Sequence, residues 1–350
     1  MAINNTKHIL VIRLSAMGDV AMTVPVILGL IKKYPEVKIT VLTKAFTAPI
    51  FANIPNVRVY KADVKGKHKG VLGLWKLYKE LKSLQLDAVA DIHNVLRSTI
   101  LKQYFKFSSI PFIQIDKGRA AKKELVNSQR TSFIPLKTTF ERYAEVFGKL
   151  GYPIAISEME TLPKRAISEN VSYLKDSKAK SLIGIAPFAA FSGKMYPHHL
   201  MEEVLGLLNS SNNYQIVLFG GGEKEIEILS KWDAQFENCH SVAGKLSFSD
   251  ELKLISNLEL MLAMDSGNAH LAAMFAVPTV TIWGVTHPYA GFYPFNQPEQ
   301  NALLSDRKKY PAIPTSIYGN KFPGGYDKVM ETILPETIVQ KISEILSDSV

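Results

Sequence analysis

The sequence predicts an α/β protein built from two successive parallel-sheet domains. Three observations point to this. The chain has 350 residues, too many for one ordinary core, and its 47% hydrophobic content can fill two. Short β-branched runs alternate along it with longer segments of helical periodicity. The junctions between them carry Gly, Pro, Asp or Asn, the residues of turns and helix starts.

In the first half the spacing predicts strands over His8 to Leu14, Val37 to Thr43, Val57 to Tyr60, Asp87 to Ile92 and Phe112 to Ile115. Helices are expected over Val20 to Tyr34, Val71 to Leu84, Val95 to Phe105 and Thr139 to Leu150. The pattern loses its regularity between Gly151 and Lys180, where Pro153 and Pro163 fall, so the linker is placed there. The alternation then resumes, with strands over Leu182 to Ala186, Gln215 to Phe219, Leu260 to Met264 and Thr279 to Trp283. The helices between and after them are His198 to Asn209, Glu223 to Trp232, Ser249 to Asn257 and Asn268 to Phe275. A last amphipathic helix covers Pro335 to Leu346 through Ile338, Ile342, Ile345 and Leu346. The expected division is a first domain over 1–165, a second over 175–332 and a C-terminal helix over 333–350.

Composition narrows the function. One cysteine, Cys239, allows no internal disulfide and no zinc or redox pair, which fits a reducing cytoplasm. No apolar run is long enough for a signal peptide or a span, so any membrane contact is expected to be peripheral. The net charge of +9 is uneven: residues 1–170 hold 27 Lys and Arg against 13 Asp and Glu, the remainder 14 against 19. A basic half suits a phosphorylated glycolipid or an anionic membrane surface, though a generally solvated lysine-rich face reads the same way. Nucleic acid is set aside, because no recognition helix or aromatic platform accompanies the charge.

In parallel-sheet domains ligands sit at the carboxyl ends of strands, so the loops after strands are the candidates. The first is Ser15-Ala16-Met17-Gly18-Asp19. Asp19 falls where a helix N-cap is expected, and a carboxylate there is either a cap or a base that takes a proton from an attacking hydroxyl. The loop lacks the spaced glycines of a dinucleotide fingerprint, which disfavours an oxidoreductase. In the second half Gly193-Lys194-Met195-Tyr196-Pro197 places a cation near a helix start, suited to phosphate but without Walker spacing. The turn Gly220-Gly221-Gly222 leads to Glu223 and Glu225, carboxylates suited either to a ribose or to the first turn of a helix. Asp265-Ser266-Gly267-Asn268-Ala269-His270 joins an apolar strand to an apolar helix. Its backbone donors suit a diphosphate and Asp265 suits sugar hydroxyls, while a capping Ser266 and a core His270 are the plainer alternative.

The ordered set of these loops, with Arg13 to Val20, Asp91 to Ser98 and the triple glycine, resembles glycosyltransferase family 9, the bacterial heptosyltransferases of the lipopolysaccharide inner core. The resemblance spans nearly the whole chain. It implies the GT-B architecture, two facing Rossmann-like domains with an interdomain cleft, the acceptor held mainly by the first and an ADP-activated heptose by the second. It implies inversion without metal or other cofactor, consistent with the absence of an Asp-x-Asp signature. By the same resemblance Asp19 is the base, Lys194 neutralises the departing diphosphate, Asp265 orients the donor sugar and the Ser266 to Ala269 backbone cradles phosphate. Gly267, Asn268 and His270 complete the donor side, with Glu225, or alternatively Glu223, on the ribose. Ser15, Met17, Gly18 and Arg97 fall on the acceptor side, facing a lipopolysaccharide-type glycolipid. Such an enzyme is cytoplasmic, peripheral at the inner face of the membrane. Phe188, Ala189, Ala190 and Phe191 stand where some members place hydroxyl residues, leaving Ser192 as the nearby hydroxyl. A sugar-nucleotide epimerase of GT-B-like fold and a non-catalytic nucleotide- or glycolipid-binding module are the alternatives.

Overall fold

The computed structural model describes residues 7–175 and 181–347; the last part of the expected linker, 176–180, lies outside them. It contains two compact units, one of Met1–Arg119 with Lys137–Thr161, the other of Ala120–Leu136 with Leu162–Val350.

In chain order the first stretch runs β1 (His8–Ile12), α1 (Met17–Ala21), α2 (Thr23–Lys33), β2 (Lys38–Thr43), β3 (Val57–Lys61), α3 (Gly70–Lys82), β4 (Ala88–Asp91), α4 (Leu96–Phe105), β5 (Phe112–Gln114), α5 (Arg119–Leu125) and α6 (Thr139–Lys149). The five strands form one parallel sheet in the order β3-β2-β1-β4-β5. On one face Leu10 and Ile12 pack with Leu74, Leu77 and Leu81 of α3 and with Leu101 and Phe105 of α4. Helices α2 and α6 pack together, burying Val26, Ile27 and Leu30 of the first and Phe140, Tyr143 and Phe147 of the second. Each such fully buried side chain contributes roughly 1.5–3 kcal/mol relative to exposure.

The single helix expected over Val20 to Tyr34 is two helices. Pro25 has no N–H to give the carbonyl of Ala21, and its ring crowds that carbonyl, so the chain breaks at Met22, which caps one helix and opens the next. The first helix also starts earlier than expected, which moves Asp19 from the N-cap to the third helical position.

The second stretch runs β6 (Ser181–Ala186), α7 (His198–Ser211), β7 (Tyr214–Leu218), α8 (Glu223–Gln235), β8 (Cys239–Ser241), α9 (Phe248–Ile255), β9 (Leu260–Met264), α10 (Gly267–Ala273), β10 (Thr279–Trp283), β11 (Ala302–Leu304) and α11 (Pro335–Ser347). Its six strands are parallel, ordered β11-β10-β9-β6-β7-β8. Trp232 is wholly enclosed in the core with Met201, Leu205 and Leu218. The C-terminal helix α11 belongs to this core: Ile338 and Ile342 are buried, it packs on α7, and Tyr214 meets Ser343 at 3.0 Å. Residues 348–350, included in the expected helix range, lie outside the described residues.

The expected first domain, 1–165, runs straight through a segment that folds elsewhere. Residues Ala120–Leu136 pack with the second unit. Arg130 donates to the carbonyls of Pro311 (3.1 Å), Ala312 (3.2 Å) and Ile313 (2.7 Å). The Arg307 guanidinium lies 3.5 Å over the Phe133 ring, which is itself packed on His287 and Tyr289. Lysine and arginine dominate this segment's charge, but its anchoring is by carbonyls and rings, which a charge-based boundary overlooks.

Candidate active site

Each sheet reverses its strand order once, and at such a switch point the loops leaving two adjacent strands diverge and leave a crevice at their carboxyl ends. In the first unit the switch falls between β1 and β4, where Ile12 pairs with Asp91. In the second it falls between β6 and β9, where Ala186 pairs with Ala263. The Asp19 and His93 loops leave the first pair; the Lys194 and Asp265 loops leave the second.

At the first switch point Asp19 reaches back to the start of its own helix, accepting from the Ala16 N–H at 3.2 Å. Its same oxygen meets Arg13 Nη2 at 2.6 Å. Arg13, at the end of β1, is 8% exposed at its side chain, while Asp19 keeps 27% open to solvent. The other guanidinium arm donates to the Ile92 carbonyl at 2.8 Å, tying the loops after β1 and β4 together. Burial works against the Arg13 charge, but its surroundings, the hydrogen-bonded Asp19 carboxylate among them, outweigh it and hold its pKa above the ordinary value. Tyr143, wholly buried on α6, donates its hydroxyl to the Asp19 carbonyl at 3.2 Å; burial pushes the phenol well above its usual range, so it stays a neutral donor.

Beneath the loop, Asp91 is fully buried and stays bonded to the N–H groups of His93 (3.0 Å) and Asn94 (2.9 Å) and to the Gln114 amide (2.8 Å). It shapes the turn that carries His93. The imidazole accepts from the Leu14 N–H at 3.4 Å through Nδ1, so the proton sits on Nε2, which faces the Ser15 hydroxyl at 3.4 Å. Burial first, and the cations Arg13 and Lys117 next, bring the His93 pKa down to about 3. Lys117 is likewise lowered, by burial and then by Arg13 and Arg119. Burial is the larger cause for both groups, and Arg13 is the cation that acts on both. Ser15 and Asp19 are gathered here, with Met17 half-buried and Gly18 buried in the same turn. Arg97 is exposed on the first turn of α4 and makes no hydrogen bond or ion pair with them.

At the second switch point Lys194 Nζ meets Asp265 Oδ2 at 3.0 Å, with side-chain exposures of 15% and 8%. Lys194 ends a short 3-10 turn, Ser192–Lys194, four residues before α7. Thr286, just beyond β10, donates its hydroxyl to the same Asp265 oxygen at 2.9 Å. Two glycines make this pairing possible. A Cβ on Gly193 would lie 2.6 Å from the Gly319 carbonyl. A Cβ on Gly319, whose φ is +78°, would lie 2.3 Å from Lys194 Cγ, so the aliphatic stem of the lysine runs across bare backbone.

Ser266 occupies the N-cap of α10 without a side-chain capping bond, and its hydroxyl is buried without a hydrogen-bond partner. The opening N–H groups of the helix, from Gly267, Asn268 and Ala269, have no intrahelical acceptor. His270 is buried one turn on. Glu225 lies elsewhere, at the third position of α8 after the triple-glycine turn. Its Oε2 accepts from the Gly221 N–H at 2.7 Å, leaving Oε1 for a ligand, whereas Glu223 is exposed at the first position of α8. Among the described residues no group of three or more His, Cys, Asp or Glu side chains could hold a metal ion, and no helix is long and apolar enough to cross a membrane.

Arg13, His93 and Thr286 were given no role from sequence. Arg13 and His93 lie inside motifs that could have flagged them; for Thr286 only its place two residues past a glycine at a strand end was visible.

Two parallel α/β units, each with charged loops at its switch point, have the fold and loop placement of a glycosyltransferase. Residues 74–318 match the family model for glycosyltransferase family 9 (heptosyltransferase), and the chain belongs to that family. It is similar to the lipopolysaccharide core heptosyltransferase OpsX of Haemophilus influenzae, 27% identical over 288 residues covering 81% of this chain and 80% of that one. The fold is similar to that of a family 9 glycosyl transferase from Veillonella parvula (TM-score 0.74, 21% identity, 98% of each chain). It is also similar to that of the E. coli ADP-heptose lipopolysaccharide heptosyltransferase II (TM-score 0.66, 20% identity, 98% and 99%). The fold class expected from sequence, α/β with two Rossmann-like parallel-sheet domains of the GT-B kind, is the one found. Family membership also removes the non-catalytic module from consideration.

Proposed function

We propose that this protein is an inverting, metal-independent heptosyltransferase that moves heptose from an ADP-sugar to a lipopolysaccharide core or related anionic glycan at the cytoplasmic face of the membrane. The supporting relatives are one that acts on the lipopolysaccharide core and a structural neighbour described by ADP-heptose. The observation that carries the reading is the Asp19 carboxylate, partly open to solvent at a strand's carboxyl end and aimed by Arg13 at 2.6 Å, with Lys117 as a further cation near it. A base in that setting serves an acceptor that is itself anionic.

In this reading the acceptor hydroxyl oxygen attacks the anomeric carbon from the face opposite ADP and gives its proton to Asp19. The bond from that carbon to the diphosphate oxygen breaks, and ADP leaves with the electron pair. Arg13, fixed to the Ile92 carbonyl, aims the carboxylate; Ser15, Met17, Gly18 and Arg97 hold the acceptor. On the donor side Lys194 exchanges part of its pairing with Asp265 for the diphosphate, and the fixed charge stabilises the leaving group without a cation from solution. The backbone from Ser266 to Ala269, Gly267 and Asn268 included, meets phosphate. Asp265 and His270 face the sugar, and the free oxygen of Glu225 takes a ribose hydroxyl.

The test is mass spectrometry of products from ADP-heptose and a lipid-free core oligosaccharide, in the presence of EDTA. The parent should yield ADP and the glycosylated acceptor of inverted anomeric configuration. Asp19→Ala should lose transfer by about 1000-fold while binding ADP as the parent does. Undiminished turnover in Asp19→Ala, loss of activity in EDTA, or conversion of the donor alone to an isomer would each overturn the reading.

A further inference from the structure

Helix α3 buries Leu74, Leu77 and Leu81 against the sheet, as an amphipathic helix should. Its outer face is anomalous. Val71 and Leu72 in its first turn are 60% and 84% exposed, and Trp75, one turn on, is 39% exposed. Apolar side chains of this size on the outside of a surface helix call for a partner.

The surroundings say which. Residues 61–82 carry seven lysines against Asp63 and Glu80 alone. Lys67 is held by Glu80 at 2.7 Å, but Lys65, Lys69, Lys76 and Lys79 are exposed around the apolar turn. The face is also rigid. Buried His68 meets Glu80 at 3.0 Å, and Tyr60 donates to the same carboxylate at 2.5 Å, pinning the loop that enters α3. Tyr104 donates to the Val71 carbonyl at 3.0 Å and packs edge-on against Trp75. Because β3 ends at Lys61, α3 begins at the strands' carboxyl edge, the edge that carries Asp19.

The geometry points to the first two turns of α3 as a membrane-docking surface: Val71, Leu72 and Trp75 enter the interfacial layer of an anionic bilayer while the surrounding lysines meet its headgroups. Apolar area buried at the headgroup boundary and attraction to anionic lipid add together in such a contact, and a pre-formed helix loses little entropy on binding. This rests on the reading of the enzyme as one serving a membrane glycolipid. It assigns the residues that deliver the acceptor edge to that lipid.

The protein carries its own reporter. Of its three tryptophans, Trp232 and Trp283 are buried in the second unit and Trp75 alone is partly exposed. Full-length protein is mixed with phosphatidylglycerol–phosphatidylcholine vesicles or with pure phosphatidylcholine vesicles, and sedimentation and tryptophan emission are read together. Binding is expected to the anionic vesicles only, with a blue shift and with affinity falling as salt rises. Leu72→Glu, at a position too exposed to disturb the core, should weaken binding by about tenfold or more. The triple variant Lys69→Gln, Lys76→Gln, Lys79→Gln should weaken it and flatten the salt dependence. Trp75→Phe should keep sedimenting but lose the shift. Equal binding of Leu72→Glu and parent, binding without a shift, equal binding to neutral vesicles, or concentration-dependent self-association through this face in place of vesicle binding would overturn the assignment. Transfer to the lipid-free acceptor is measured in parallel and should be unchanged in Leu72→Glu. Vesicle binding without transfer would leave the surface standing and remove the enzymatic reading; transfer without vesicle binding would do the reverse.

Discussion

At the scale of single residues, the proposed donor side depends on a lysine that would ordinarily be solvated. Lys194 is held in because its stem crosses Gly319, where a left-handed backbone and a missing Cβ coincide. Gly319→Ala would strain the backbone by roughly 1–2 kcal/mol and push the lysine off Asp265. ADP affinity measured calorimetrically should fall about tenfold or more, a loss of 1.4 kcal/mol or greater, while the Asp19 side is unaffected. Lys194 and Asp265 were legible as candidates because each sits in a loop between a strand and a helix. Their pairing, and the roles of Thr286 and Arg13, were not. The Thr286 bond spans 21 residues and the Arg13 bond 79, and no local pattern encodes which strand ends become neighbours.

At the scale of elements, the strands that sequence reading found are four to six residues long apart from the three-residue β5, and all but β3 and β5 are largely buried. Strands β8 and β11 escaped it: each is a three-residue outer strand with a single neighbouring strand. Helix α6 shows how an element's end reaches the site. Thr138 accepts from the Glu141 N–H at 3.2 Å and Glu141 accepts from the Thr138 N–H at 2.6 Å, a reciprocal capping box. The helix so started places Tyr143 under Asp19. Thr138→Ala should cost about 1 kcal/mol, read in urea unfolding as a lower midpoint at unchanged slope. Because the Tyr143 bond supports the Asp19 turn from behind, kcat should fall several-fold with little change in donor KM.

At the scale of the whole molecule, the chain leaves each unit unfinished and returns to it. Residues 120–136 close over the second unit through Arg130 and Phe133 although they precede it in sequence by a stretch of the first. Arg130→Ala removes four charge-assisted bonds to carbonyls, three of them to residues 311–313, and should destabilise the protein by about 2 kcal/mol, checked by thermal melting and by a lower protection of the 311–313 amides in hydrogen exchange. This interleaving also explains why a boundary drawn from composition ran past the segment, since nothing in its sequence announces a partner 183 residues away. The same interval sets a clock. A ribosome adding on the order of ten residues per second needs roughly twenty seconds to proceed from Arg130 to Ile313. During that time Phe133 emerges before its partners His287, Tyr289 and Arg307 have been made. Newly synthesised chains therefore pass through a period in which this strap is available to chaperones, or to the unfinished second unit of a neighbouring chain.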